Sequence, residues 1–82
     1  MKDPRQIAYD TVDELLKIGL AQGHQAEKWR DEPQDNHLDK CIRHIMTFKL
    51  MRDGNQKPDG ENHLRNAICR LSLALTQEMS DF

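Results

Sequence analysis

Apolar residues recur at helical spacing in three separate segments, and this pattern constrains the fold more than any other feature. The segments run from about Pro4 to Ala21, from about Asn36 to Arg52 and from about Asn62 to Met79. The strict alternation of apolar and polar residues that is typical of half-buried strands is absent. The sequence therefore predicts an all-α fold, a small bundle of three main helices within one domain that spans residues 1–82.

Residues that favour helix ends lie at the boundaries of these segments. Asp3 is suited to cap the first helix, and Asp35 or Asn36 the second. Gly23 and Gly54 are expected to end the first and second helices, because glycine tolerates the left-handed conformation that follows a helix.

The polar residues 23–36 are expected to form a structured loop with one helical turn near Gln25–Trp29. Trp29 is expected to fold back over the core, since a large aromatic side chain gains much from burial. The rest of the core is expected to come from the apolar stripes of the helices. The predicted core residues are Val12, Leu15, Leu16, Trp29, Leu38, Ile42, Ile45, Leu64, Ile68, Leu71 and Leu75.

The composition excludes several classes of protein. Hydrophobic residues make up 37% of the 82 residues, so the core is thin and we expect a homo-oligomer. The apolar stretches are too short for a membrane span, and the net charge of −2 argues against general nucleic-acid binding. The first residues lack the apolar segment of a secretory signal, and the two cysteines lack metal-site spacing. We therefore expect a cytoplasmic protein with reduced thiols.

Two segments of the second and third helices resemble each other. HLDKCIRHI (residues 37–45) and HLRNAICRL (residues 63–71) align without gaps. His37 and His44 lie seven positions apart and therefore share one face of a helix. The simpler interpretation is that the two helices present similar faces to one core. The alternative is that their polar groups flank a common site.

If those helices pack together, their polar groups could converge on a reactive centre. His44 and His63 are then the candidate catalytic residues, because histidine is a general acid or base near neutral pH and a common metal ligand. Arg43 and Arg70 are the candidate substrate-binding residues, because guanidinium groups bind phosphates. The alternative is that each histidine lies in an N-terminal turn or on a solvated face.

The first helix carries a separate acidic candidate. Asp10, Asp13 and Glu14 stand at positions i, i+3 and i+4, so their carboxylates share one helix face. Carboxylates in this arrangement can bind Mg²⁺. Such groups are also frequent on solvated helix faces, and this alternative stays open.

Several short motifs together suggest a family. They are a loop tryptophan (Trp29), the step Arg43-His44-Ile45 followed by Phe48, a connector with Gly54 and Asp59-Gly60, and the closing run Gly60-Glu61-Asn62-His63-Leu64 followed by Ala67 and Leu71. In these features the chain resembles a phage-associated all-α family, the N-terminal domain of dATP/dGTP diphosphohydrolases, which is similar to the MazG-like group. The family often has a second histidine three residues after the first in the closing motif, where this chain has Asn66.

The resemblance implies metal-dependent hydrolysis of a dNTP with release of pyrophosphate. It implies that carboxylates hold Mg²⁺ or Mn²⁺, with Asp10, Asp13 and Glu14 as the helical candidates. Arg43 and Arg70 would bind phosphates, and His44 and His63 would transfer protons or bind metal. Two other functions remain open: a non-catalytic helical accessory protein that binds a nucleotide or inhibits a host protein, and a structural domain whose apolar stripes bury an oligomer interface.

Overall fold

The computed structural model describes residues 3–23 and 28–80. Its long helices are α1 (Pro4–Ala21), α2 (Gln34–Arg52) and α3 (His63–Ser80), and a short 3-10 helix occupies Lys28–Asp31. Within these ranges there is no strand, which confirms the all-α prediction of three helices. None of the helices in the described ranges has the length and apolar character that a membrane span requires.

The two ends of α1 follow the prediction. The Asp3 carboxylate accepts a 2.7 Å hydrogen bond from the backbone N–H of Arg5, which caps the helix. Gly23 follows the helix with φ of 91°, a conformation that costs glycine little. At the start of α3, the Asn62 side chain accepts a 3.2 Å bond from the backbone N–H of Arg65 and acts as a cap.

The start of α2 differs from the prediction. The helix begins at Gln34, and Pro33 occupies the cap position without a side-chain hydrogen bond. The expected caps Asp35 and Asn36 therefore lie inside the first turn. There the negative charge of the Asp35 carboxylate interacts favourably with the positive end of the helix dipole. The predicted turn near residues 25–29 lies partly outside the described residues, and the described part is the 3-10 helix.

Helices α1 and α2 both pack against α3, and the contact between α2 and α3 is the more extensive of the two. Gln34, at the start of α2, donates to the Ala74 carbonyl late in α3 over 3.1 Å. His44, late in α2, contacts His63 at the start of α3. Helices α2 and α3 are therefore antiparallel.

Most of the predicted core is wrong. Seven of the eleven predicted core residues are exposed: Leu16, Ile42, Ile45, Leu64, Ile68, Leu71 and Leu75. The other four are half-buried: Val12, Leu15, Trp29 and Leu38. The buried apolar residues are Cys41, Ala67, Leu73 and Ala74, and they share the interior with Thr11, His37 and His63. The reason is geometric: α2 and α3 meet along small and polar residues, one position away from the apolar stripe.

Candidate functional site

A polar seam runs along the contact between α2 and α3. On α2 it contains His37, Cys41 and His44, and on α3 it contains His63, Ala67, Arg70, Ala74 and Gln77. Residues three or four positions apart stack on one helix face, so each helix presents one row of these groups to the other. Because the alanine side chains are small, there is room between the helices for the longer polar side chains.

His44 and His63 meet at one end of this seam. Their Nδ1 atoms lie 2.8 Å apart and their ring centroids 5.1 Å apart. His63 is only 5% exposed, and its other ring nitrogen, Nε2, lies 2.8 Å from a carboxylate oxygen of Asp59. Two N–H groups cannot point at each other over 2.8 Å, so one hydrogen lies between the two Nδ1 atoms. This pair therefore carries at most one positive charge.

The electrostatics of these groups follow from their neighbours. Burial lowers the pKa of His44, and nearby His63 lowers it further; Glu61 opposes this effect, while Arg70 and Arg43 add to it. The backbone N–H of Glu61, 3.0 Å away, and then His63 lower the pKa of Asp59. Asp59 is thus ionised at neutral pH and accepts a hydrogen bond from the Nε2–H of His63.

Proton positions follow along this chain of groups. When His63 is neutral, its Nδ1 atom is unprotonated and accepts a hydrogen bond from the Nδ1–H of His44. The Nε2 atom of His44 then carries a lone pair. Asp59, His63 and His44 therefore form a continuous hydrogen-bonded row that leaves a proton acceptor at its end.

Asp59, Glu61 and His63 also form a candidate metal centre. One donor atom from each residue lies within 4.8 Å of the other two, and the Nε2 atom of His63 is 3.7 Å from a carboxylate oxygen of Glu61. Gly60 stands between the two acids with φ of 82°. This left-handed conformation turns the chain so that both carboxylates approach the first turn of α3.

The acidic triad predicted on α1 is engaged elsewhere. Asp10 accepts a 2.8 Å hydrogen bond from the Gln6 amide, and Asp13 pairs with Lys17 at 2.8 Å. Glu14 pairs with Arg65 of α3 at 2.7 Å. Within the described residues, the structure does not bring these carboxylates into a group with close donor atoms.

The two arginines predicted to bind substrate have different surroundings. An Nη1–H group of Arg70 approaches the Nδ1 atom of His37 at 3.0 Å and a carboxylate oxygen of Glu32 at 3.3 Å. Arg43 is exposed beside His44, and none of the described residues forms an ion pair with it. The structure therefore leaves Arg43 available to a ligand and ties Arg70 to the α2–α3 contact.

His37 has a structural role at the other end of the seam. It is fully buried, and its Nε2–H group donates to the Trp29 carbonyl over 3.0 Å. Since Arg70 can only donate, the Nδ1 atom of His37 accepts its hydrogen bond. Gln77 donates to the carbonyls of Trp29 and Glu32. Together these bonds attach the loop before α2 to both helices.

Sequence analysis did not identify Asp59 and Glu61 as ligands, although both lie in the motif that suggested a family. The available signal was their spacing, since they precede His63 by four and two positions across a glycine. It also missed the role of Glu32, which depends on a contact between residues far apart in the sequence.

Comparison with known proteins adds no assignment for these residues. No protein-family model, curated protein or solved structure matches this chain, so its relation to the dATP/dGTP diphosphohydrolase family stays a prediction.

Proposed function

We propose that this chain is a small divalent-metal-dependent hydrolase of nucleotides, of the phage-associated pyrophosphohydrolase type, which converts a dNTP and water to a dNMP and pyrophosphate. The observation that carries the proposal is the convergence of Asp59, Glu61 and His63 beside His44. This proposal moves the metal from Asp10, Asp13 and Glu14 to the connector and the start of α3.

The donor set fits a divalent metal ion. Two carboxylates and one imidazole are ligands of transition metals, and the imidazole favours Mn²⁺ over Mg²⁺. Binding through the Nε2 atom of His63 requires this atom to be unprotonated, so the proton lies on Nδ1 and is donated to His44. Such a hydrogen bond to a ligand fixes its tautomer and orientation. When bound, the metal supplies neutralisation of phosphate charge and activation of water.

The remaining groups act around this centre. Arg43 binds the phosphates, since it is exposed next to His44 and has no ion pair with a described residue. Arg70 contributes positive potential near His44 while its guanidinium stays bonded to His37. With the proton of His63 on Nδ1, His44 accepts it at its own Nδ1 atom and orients the His63 ring. Burial lowers the pKa of His44, so its ring is neutral in this arrangement, and its one proton lies on Nε2, where it can be donated.

Hydrolysis of each dNTP with Mn²⁺ or Mg²⁺, followed by separation of dNMP from dNTP, tests the proposal. We expect D59N and E61Q each to lose at least about tenfold in rate, the scale for a displaced ligand or its support. D53N is the matched control, because Asp53 is an exposed carboxylate that pairs only with neighbouring Arg52 among the described residues. Loss of activity in D13N with full activity in E61Q would return the metal to α1.

A second candidate is a non-catalytic accessory protein that binds a nucleotide or a host protein. The exposed apolar side chains of α1 favour it, among them Ile7, Ile18 and Leu20, which are 42–53% exposed. Apolar side chains that are exposed together on a protein surface are typical of sites that bind another protein. Absence of hydrolysis for every dNTP, together with capture of a protein that L20K no longer binds, would favour this candidate.

The same proposal includes self-association and a cytoplasmic location. Cys41 and Cys69 are both free thiols, as expected in a reducing compartment. Few large apolar side chains are buried within the described chain, so association with another surface would supply the stability that a small core lacks.

A further inference from the structure

Two ring nitrogens from different helices face each other at the end of the polar seam. The Nδ1 atoms of His44 and His63 lie 2.8 Å apart, and the ring centroids lie 5.1 Å apart. An imidazole nitrogen carries a lone pair whenever the proton of a neutral ring lies on the other nitrogen. The pair can therefore offer two nitrogen donors, one from α2 and one from α3, to a single metal ion.

The separation of the two rings fits a tetrahedral ion. With metal–nitrogen bonds of about 2.0–2.1 Å, such an ion holds two imidazole nitrogens roughly 3.3 Å apart and their ring centroids roughly 5.2 Å apart. The centroids of His44 and His63 already stand at nearly this distance. A rotation of the rings that separates the Nδ1 atoms by about half an ångström is enough to admit the ion.

Asp59 gives His63 the support that a metal-binding histidine usually has. A histidine that binds a metal through one ring nitrogen commonly donates the N–H of the other to a carboxylate, which fixes its tautomer and orientation. The Nε2 atom of His63 lies 2.8 Å from a carboxylate oxygen of Asp59. This contact holds the proton on Nε2 and leaves the Nδ1 lone pair for a metal. Because His44 is half-buried, water can fill the remaining metal positions from its side.

The donors on this side of His63 differ from those of the Asp59–Glu61–His63 centre. Both carboxylates of that centre approach the Nε2 atom, at 2.8 and 3.7 Å. Within the described residues, no carboxylate joins the rings of His44 and His63 in a second group of close donors. Imidazole suits Zn²⁺, whereas carboxylates and water suit Mg²⁺ and Mn²⁺. The nitrogen pair therefore selects a different metal from the carboxylate centre.

The charges around the nitrogen pair are mixed. Glu61 favours a positive charge at His44, whereas Arg70 and Arg43 oppose it and thereby lower the pKa of His44. General attraction of cations is therefore weak here, and an ion must be held by bonds to nitrogen. This favours Zn²⁺ over Mg²⁺, which binds imidazole poorly.

We propose that Zn²⁺ binds between the Nδ1 atoms of His44 and His63 and thereby excludes metal from the Asp59–Glu61–His63 centre. A neutral His63 ring has one proton and one lone pair. With Zn²⁺ on Nδ1, the proton stays on Nε2, and this atom is no longer a ligand for the other centre. The His44 proton moves from Nδ1 to Nε2, so no proton is gained or lost. The zinc site does not depend on hydrolysis, whereas the exclusion rests on the metal centre of the proposed function.

Calorimetric titration of Zn²⁺ into the wild type, H44Q and E61Q tests the zinc site. We expect one Zn²⁺ per chain in the wild type and at least about tenfold weaker binding in H44Q, since even a residue that only supports a ligand changes metal affinity on this scale. E61Q is the matched control and should keep the wild-type zinc affinity. Loss of zinc binding in E61Q with full binding in H44Q would overturn the proposal, because the ion would then lie at the carboxylate centre.

Ring nitrogen resonances of the wild type provide a second measurement in case H44Q fails to fold. Long-range ¹H–¹⁵N spectra distinguish Nδ1 from Nε2, and we expect Zn²⁺ to shift the Nδ1 resonances of His44 and His63. A zinc-induced change of ligand state at the Nε2 atom of His63 alone, or the absence of any shift, would overturn the zinc site.

Competition between the two metals tests the exclusion. Electron paramagnetic resonance measures free Mn²⁺, and we expect one equivalent of Zn²⁺ to release bound Mn²⁺ from the wild type but not from H44Q. Retention of Mn²⁺ by zinc-saturated wild type would overturn the exclusion. If the wild type binds no Mn²⁺, the metal centre of the proposed function and the exclusion both fail, while the zinc titration still decides the zinc site.

Discussion

The Nδ1 atoms of His44 and His63 lie 2.8 Å apart, across the contact between two antiparallel helices. The two residues are 19 positions apart in the chain, and each stands in a row of small and polar residues. The hydrogen bond therefore joins the second half of α2 to the start of α3, and it orients the ring that offers its other nitrogen to Asp59 and Glu61.

Replacing His44 by leucine is expected to lower the free energy of unfolding by about 1–3 kcal/mol, because the buried Nδ1 atom of His63 loses its partner. H44Q is the matched variant, since an amide can still hydrogen-bond to that nitrogen. Urea unfolding at one protein concentration provides the comparison. Equal stability of H44L and the wild type would show that this hydrogen bond contributes nothing.

Replacing Arg70 by methionine is expected to cost about 1–3 kcal/mol, because the buried acceptor of His37 is left without a donor and Glu32 without its cation. R43M is the matched control, because it makes the same change of volume and charge at an exposed site. Substitutions at such sites usually change the free energy of unfolding by no more than about 0.5 kcal/mol. Thermal and urea unfolding of the two variants test the difference. An equal loss of stability in R70M and R43M would contradict a structural role that Arg70 has and Arg43 lacks.

Adding Mn²⁺ is expected to raise the Tm, and a chelator to reverse the increase. At a free metal concentration of 100 times Kd, binding stabilises a folded protein by about 2.7 kcal/mol. E61Q should lose most of the increase, whereas D53N should keep it. An identical increase in both variants would show that Mn²⁺ binds elsewhere.

Replacing Ala74 by leucine is expected to cost about 1–3 kcal/mol through overpacking. Ala74 is only 2% exposed, and its carbonyl accepts a hydrogen bond from Gln34 of α2, so a larger side chain would push the helices apart. A21L, at the exposed end of α1, is the control. The free energy of unfolding should change little in A21L, and an equal cost in both would contradict close packing at Ala74.

The two thiols are expected to react slowly with iodoacetamide in the native protein at pH 8. Burial raises the pKa of both Cys41 and Cys69, so less of the reactive thiolate is present at a given pH. Cys41, which is 5% exposed, should be the slower of the two. Mass spectrometry of each peptide over time tests this order, and urea should remove both the delay and the difference.

The candidate site was only partly predictable. Sequence analysis named His44 and His63 as candidates on the condition that the second and third helices pack together, and the structure brings these two together. His37, which the repeat aligns with His63, lies at the other end of the contact. Asp59 and Glu61 escaped notice as ligands because their approach to His63 depends on the turn at Gly60. The pairing of Arg70 with Glu32 escaped notice because it joins residues 38 positions apart.

The sequence by itself determined the helices, because spacing and capping are local: α1 begins after Asp3 and ends before Gly23, as predicted. Only the tertiary structure decided which face of each helix is interior. Periodicity shows that Leu64, Ile68 and Leu71 share a stripe, but an apolar stripe is compatible with burial inside one chain or against another surface. The hydrogen bonds and small side chains of the neighbouring row bring α2 and α3 together along His44 and His63, and the apolar stripe is left outward.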